Sequence, residues 1–277
     1  MKLLALLALV LSFSTTSMTV DTSTFVIGES LTFQSDVLQE ARTINVYLPL
    51  SYSEEPGRKY PVIYLLDGSA DEDFIHISGL VQFGSFSWIK MIPESIVIGI
   101  ANTDRTHDFT FPSRNTQDRT KAPTAGGSAK FIEMIEKELQ PLVTARYRLD
   151  ESSTLIGQSL GGLLATEILL KRPALFDNYI IVSPSLWWDD ESLLQSGAAD
   201  LASVNAVYIG VGEEGATMKR VAKELFEKLQ ETESMSEHLS FRHFPELDHG
   251  DALHLAVYDG FKTIFATPLV ATGGSGQ

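Results

Sequence analysis

A hydroxyl stands between glycines at Gly157-Gln158-Ser159-Leu160-Gly161. The segment follows the apolar run Thr154-Leu155-Ile156 and leads into Leu160 to Leu170, whose leucines and alanines favour a helix, so Ser159 falls on a tight strand-to-helix turn. Such a turn pinches the backbone and pushes the hydroxyl outward; Gly157, Gly161 and Gly162 leave the room it needs. Ser159 is therefore the candidate nucleophile. A serine hydroxyl reacts poorly until a base takes its proton, so a histidine is expected further along. Of the six histidines, His76 and His107 precede the serine, and His238 lies in a polar stretch. His243 is inside the strand-like Leu239 to Phe244, and His254 is within the helical segment starting near Asp251. His249 sits in the loop Glu246-Leu-Asp-His-Gly250, after a strand and before a helix, and is the expected base.

An acid that fixes the imidazole tautomer should come from the loop after the strand Ala206 to Val211, where the chain reads Gly212-Glu213-Glu214-Gly215. Both glutamates fit, and Glu213, nearer the strand end, is preferred with Glu214 as the alternative. Asp248 is a weaker rival, because adjacent side chains on an extended loop point apart; Asp251 reads as an N-cap for the last helix. The oxyanion of an attacked ester needs backbone donors. The expected pair is the N–H of Leu160 and that of Ser69, in the loop Leu66-Asp67-Gly68-Ser69-Ala70, with the N–H of Gly68 as the alternative.

The elements that must position these groups alternate along the chain. Thr43 to Leu48 alternates like a half-exposed strand, whereas Tyr60 to Leu66, Ser95 to Ile100, Thr154 to Ile156, Tyr179 to Val182 and Ala206 to Val211 are apolar blocks suited to buried parallel strands. Helical periods lie between: Ser128 to Tyr147, with Ser128 as N-cap and Pro141 expected to end or bend it, and Met218 to Leu229. The expectation is one α/β domain over 19–271 with a mostly parallel sheet covered by helices on both faces. Lys2, the apolar run Leu3 to Leu11 and the mostly small, polar Ser12 to Ser17 read as a signal peptide over 1–18, and 272–277 as a frayed tail. Export to a periplasm or beyond is implied, with no membrane association after cleavage. The net charge of −15 argues against a nucleic-acid partner. Without cysteine the chain has no disulfide and no thiolate nucleophile or metal ligand.

The segments Arg42 to Pro49, Tyr60 to Gly68, Asn102 to Thr106, Gly157 to Gly162, Ser183-Pro-Ser-Leu-Trp-Trp188 and Asp248-His-Gly250 resemble the α/β-hydrolase esterase family that includes enterobactin-type siderophore esterases and is related to esterase D. The similarity runs from about Phe25 to Phe265. It implies the α/β-hydrolase fold, esterase or lactonase activity on a small-molecule ester, no metal or cofactor, and a nucleophile and base at Ser159 and His249. The family's loop carries a basic residue where this chain has His107, which implies less positive charge in the site. Trp187 and Trp188 are candidate walls of an acyl or aromatic pocket, and Arg105 and Arg114 candidate clamps for an anionic group. Because a ferric catecholate is strongly anionic and this chain is acidic, a general carboxylic ester hydrolase is ranked ahead of a siderophore trilactone esterase. An acyltransferase, or a binding protein on a hydrolase fold, are the further alternatives.

Overall fold

The chain enters its sheet through a hairpin, β1 (Glu29–Ser35) and β2 (Glu40–Tyr47), paired antiparallel with Thr32 opposite Thr43. The apolar blocks become β3 (Tyr60–Leu65), β4 (Ile96–Ile100), β5 (Leu149–Gln158), β6 (Asn178–Val182) and β7 (Ala206–Gly212), and β8 (Leu239–Phe244) closes the far edge. The order is β1-β2-β4-β3-β5-β6-β7-β8, parallel from β4 through β8. This computed structural model describes residues 20–197, 200–232, 235 and 238–265. The signal peptide read at 1–18 and the tail read at 272–277 lie outside the described residues.

Ten α-helical segments flank the sheet among the described residues: α1 (Ser51–Glu54), α2 (Phe74–Ser85), α3 (Arg105–Phe109), α4 (Thr116–Lys121), α5 (Ser128–Met134), α6 (Gln140–Arg146), α7 (Leu160–Lys171), α8 (Ser192–Gln195), α9 (Gly215–Gln230) and α10 (Ala252–Ile264). Helices α2 and α10 pack Ile77, Val81, Val257 and Phe261 on one face, where they meet Ile63 and Leu65 of β3. The opposite layer joins Val62 and Tyr64 of the same strand to Phe131, Leu163, Ile168 and Leu225. Alternate residues of β3 thus feed opposite cores, which is why the central strands are apolar without alternation. Each large side chain so buried contributes about 1.5–3 kcal/mol.

Three local expectations are corrected. The strand expected to be half exposed, β2, is largely buried: Arg42 is 1% exposed and pairs with Asp108 at 2.8 Å, while Asn45 Nδ2 donates to the Gly68 carbonyl at 2.8 Å. Its two buried polar side chains, Arg42 and Asn45, therefore bind the segment Arg105–Phe109 and the loop after β3 instead of water. Pro141 does not end the helix begun at Ser128; a π turn over Ile135–Leu139 joins α5 to α6, and the widened turn absorbs the missing N–H and ring of the proline. Ser128 is the first helical residue rather than the cap, a position held by Gly127, and among the described residues its buried hydroxyl has no partner.

Because β3 to β8 run parallel, the loops after β3, β4, β5, β7 and β8 emerge at one edge of the sheet. These loops carry Gly68-Ser69, Arg105, Ser159, Glu213-Glu214 and His249 respectively.

Candidate active site

Ser159 has φ 59° and ψ −119°, a strained conformation for a residue with a Cβ, worth roughly 1–3 kcal/mol. Its surroundings enforce it. The Ser159 N–H donates to the Val182 carbonyl at 3.1 Å, and its own carbonyl accepts from the N–H groups of Leu163 at 2.9 Å and Ser185 at 3.0 Å. A Cβ on Gly157 would lie 2.4 Å from the Gly161 carbonyl oxygen, and one on Gly162 2.9 Å from Pro184 Cα, so the elbow tolerates no side chain there. The Ser159 hydroxyl is 3.4 Å from Ser185 Oγ; among the described residues no hydrogen bond joins it to His249. Both residues nonetheless line the same two cavities.

The imidazole of His249 is held by Glu214 and not by Glu213. His249 Nδ1 lies 2.5 Å from Glu214 Oε2, and the Glu214 carboxylate also accepts from the Ser183 hydroxyl and, at 2.9 Å, from the Gly212 N–H. Glu213, the preferred acid from sequence, instead contacts Lys219 Nζ and lies 3.2 Å from His243 Nε2. The reason is the last turn of backbone after β7. The Glu213 N–H bonds to the Leu247 carbonyl and its side chain points outward, whereas Glu214 occupies the cap position of α9 and folds back over Gly212. Asp248 shapes the histidine loop by accepting the Gly250 N–H at 2.7 Å. Asp251 occupies the cap position of α10, but its carboxylate takes the Asp248 N–H and not a helix N–H. Gln158 Nε2 donates to the His249 carbonyl at 2.7 Å and ties the histidine loop to the elbow.

Electrostatics follow this geometry. The hydrogen bond to Glu214 raises the His249 pKa above its ordinary value, against the opposing effect of burial and of nearby Arg105. Burial pushes the Glu214 carboxyl up, but hydrogen bonds from His249, Ser183 and Gly212 outweigh it and hold the group below the usual carboxylate range. Glu214 is 2% exposed and His249 47% exposed, so a buried anion orients a ring that a substrate can reach.

Of the expected backbone donors, Leu160 opens α7, where an N–H has no intrahelical carbonyl to bind. The Ser69 N–H donates to Glu72 Oε2 over a long 3.3 Å. The alternative, Gly68, is corrected: its N–H is spent on the Ile100 carbonyl at 2.9 Å, as the loop continues the pairing of β3 with β4. Neither Leu160 nor Ser69 is among the residues lining the cavities.

The larger cavity, about 630 Å³, is bounded by Ser159, His249, Glu214 and Ser185, with Trp187 and Met218 supplying apolar surface. Trp187 is 40% exposed. Trp188 is corrected: it is 3% exposed, sits in the core, and donates its indole N–H to the Phe111 carbonyl at 2.9 Å. Adjacent residues after β6 face opposite ways. The smaller cavity, about 390 Å³, also reaches Ser159 and His249 and is walled by Arg105, Asp67, Glu72 and Asp73. Arg105 lines it but is already committed, with Nε 2.6 Å from one oxygen of Asp67 and a terminal nitrogen 2.8 Å from the other. Arg114 has an 84% exposed side chain paired with Asp189 and lines neither cavity. Sequence reasoning assigned no role to Ser183, Ser185, Gln158, Met218 or Asp73. Only the first three lie in motifs already singled out, and spacing carries no signal of their contacts. Among the described residues no group of three or more histidines or carboxylates is arranged to hold a metal ion.

Comparison with known proteins bears on this geometry. The profile of the family described as "Putative esterase" matches residues 35–258. The ferri-bacillibactin esterase of Bacillus subtilis is 30% identical over 169 residues, 56% of this chain and 58% of that protein. The siderophore enterobactin esterase of Emericella nidulans is 28% identical over 214 residues, 68% of this chain and 71% of that one. A solved IroE-like serine hydrolase from Shewanella oneidensis has a TM-score of 0.75 at 29% identity, covering 86% of this chain and 80% of the other.

Proposed function

Since the chain belongs to the esterase family whose profile it matches, we propose that it is a serine carboxylic ester hydrolase working through an acyl-enzyme. Ser159 Oγ turns from Ser185 towards His249 Nε2, loses its proton to that nitrogen and attacks the ester carbonyl carbon. Glu214 keeps the other imidazole nitrogen protonated and stabilises the imidazolium as it forms. The N–H groups of Leu160 and Ser69 hold the oxyanion, Ser69 exchanging its long bond to Glu72 for the new charge. The tetrahedral intermediate collapses, the C–O bond to the alcohol breaks, and His249 returns the proton to the leaving oxygen. Water, activated by the same imidazole, then cleaves the acyl-enzyme and frees Ser159. The observation that supports this reading most is that a strained hydroxyl and an imidazole oriented by a buried carboxylate line one cavity.

Labelling by a fluorophosphonate, with Ser159→Ala as control, tests it together with hydrolysis of p-nitrophenyl esters of increasing chain length. The wild type should be labelled and active and the variant neither. A wild type that is unlabelled and inactive on every ester leaves a binding protein on a hydrolase fold.

The names of the relatives favour a second, narrower reading, a siderophore trilactone esterase. Chromatography of a trilactone siderophore incubated with the enzyme, iron-free and iron-loaded, distinguishes it from a general esterase. Export follows from the leader read at 1–18, and N-terminal sequencing of the protein recovered outside the cytoplasm is its test. Among the described residues no helix is long and apolar enough to cross a membrane.

A further inference from the structure

The two cavities that meet at Ser159 are both acidic, and among the described residues that line them no lysine or arginine is free of a carboxylate partner. The smaller one brings three carboxylates, Asp67, Glu72 and Asp73, against one guanidinium, Arg105. Both oxygens of Asp67 are engaged by Arg105, which cancels that pair. Glu72 is held by Asn102 Nδ2 at 3.0 Å and by the Ser69 N–H at 3.3 Å, both of which bind an ionised carboxylate. Among the described residues the Asp73 carboxylate accepts no hydrogen bond, and Arg105, already paired with Asp67, acts on its charge only from a distance. The larger cavity adds Glu214 and Asp248 and no lysine or arginine. An anionic group entering on the Arg105 side therefore meets more negative than positive charge at short range, a repulsion that salt screens.

We propose that Glu72 and Asp73 are specificity-determining residues that make this site select by charge, taking esters with a neutral or cationic group on the Arg105 side and rejecting those that carry a carboxylate, phosphate or other anion there. The proposal rests on the esterase reading and narrows it to a substrate class. It sets the chain's own residues against polyanionic esters, including iron complexes that keep a net negative charge, and in favour of uncharged ones. Burial and the neighbouring Asp67 and Glu72 push Asp73 up to about 6, with Arg105 opposing. The groups that face it are thus Asp67, Glu72, Arg105 and His249, and the rejection should relax as the solution is taken below pH 6.

The test uses two matched sets of activated esters, one with a trimethylammonium, a methyl or a carboxylate terminus on the acyl chain, the other with the same three on the alcohol. Values of kcat/KM are measured at pH 7.5 in low salt. In at least one set the anionic ester should be slower than the neutral one by about tenfold or more, and the cationic ester at least as fast as the neutral one. That ratio should shrink to within about threefold in the Glu72→Gln, Asp73→Asn double variant, and partly in Asp73→Asn alone. It should also shrink for the wild type in high salt, a readout that needs no variant to fold. Equal rates for neutral and anionic esters in both sets overturn the proposal while leaving the esterase reading intact. Discrimination that survives the double variant unchanged also overturns it. A wild type that turns over none of the six overturns the esterase reading, and this proposal with it.

Discussion

Replacing Glu214 by Gln removes the charge that orients His249 and keeps nearly the same volume. The lost contact is a charge-assisted hydrogen bond at 2.5 Å to a carboxylate only 2% exposed, with two further donors left facing an amide. Hydrogen bonds to a charged group are worth about 1.5–3 kcal/mol, which alone is roughly a 10- to 150-fold loss in kcat/KM. The amide can also present its NH₂ to Nδ1, which would put the ring proton on Nε2, the nitrogen that must accept the serine proton. That wrong-tautomer population takes the expected loss to 100-fold or more. Glu213→Gln is the paired control. Its exposed contacts with Lys219 and His243 are of the kind worth about 0–1 kcal/mol, and the loss should stay under about threefold. The pH profile carries an independent sign. The neutral imidazole is the working form, and Glu214 raises the His249 pKa, so the acid limb of wild-type kcat/KM should lie above the ordinary histidine value of about 6.5. In Glu214→Gln that limb should move down, making the defect smaller at pH 6 than at pH 8. Stopped assays on a p-nitrophenyl ester across pH 5.5–9, with circular-dichroism melts to show both variants folded, read all of this. A small loss in Glu214→Gln with a large one in Glu213→Gln, or an acid limb that does not move, would refute the assignment.

For the base, His249→Ala should abolish ester turnover while His254→Ala, whose ring stacks edge-on against His76 between α10 and α2, keeps most of it; steady-state rates on one ester decide. Trp187→Ala should change the preference among acyl chain lengths, because this side chain lines the larger cavity. Trp188→Ala should instead lower stability by about 3–5 kcal/mol, read as a shifted urea midpoint, because it empties a core position and leaves the Phe111 carbonyl unpaired. Asp108→Ala should cost about 1.5–3 kcal/mol by the same measurement, since it removes the buried carboxylate partner of Arg42, a residue 1% exposed, and leaves the half-exposed Glu40 as its remaining ion pair.

What the sequence alone determined about this protein is local and periodic. Apolar blocks at Tyr60, Ser95, Tyr179 and Ala206 announced the central strands, since a residue buried on both faces of a sheet must be apolar whatever its partner. The glycines around Ser159 announced the elbow because the backbone there admits no Cβ, and a histidine between a strand and the last helix was readable as a loop residue for the same local reasons. The hairpin strand β1 has no apolar block to announce it, because it lies at the sheet's edge with β2 as its one partner and its outer face is polar. Tertiary structure decided which of two neighbours faces inward. Glu214 and Trp187 meet the cavity while Glu213 and Trp188 do not, because one peptide step reverses a side chain and the turns that set the phase are tied by bonds such as Glu213 N–H to Leu247 and Trp188 to Phe111. It also decided that Arg105 answers Asp67 rather than a ligand, a pairing across 38 positions. Such contacts join segments far apart in the chain and depend on how the strands are ordered, so no pattern of near neighbours contains them.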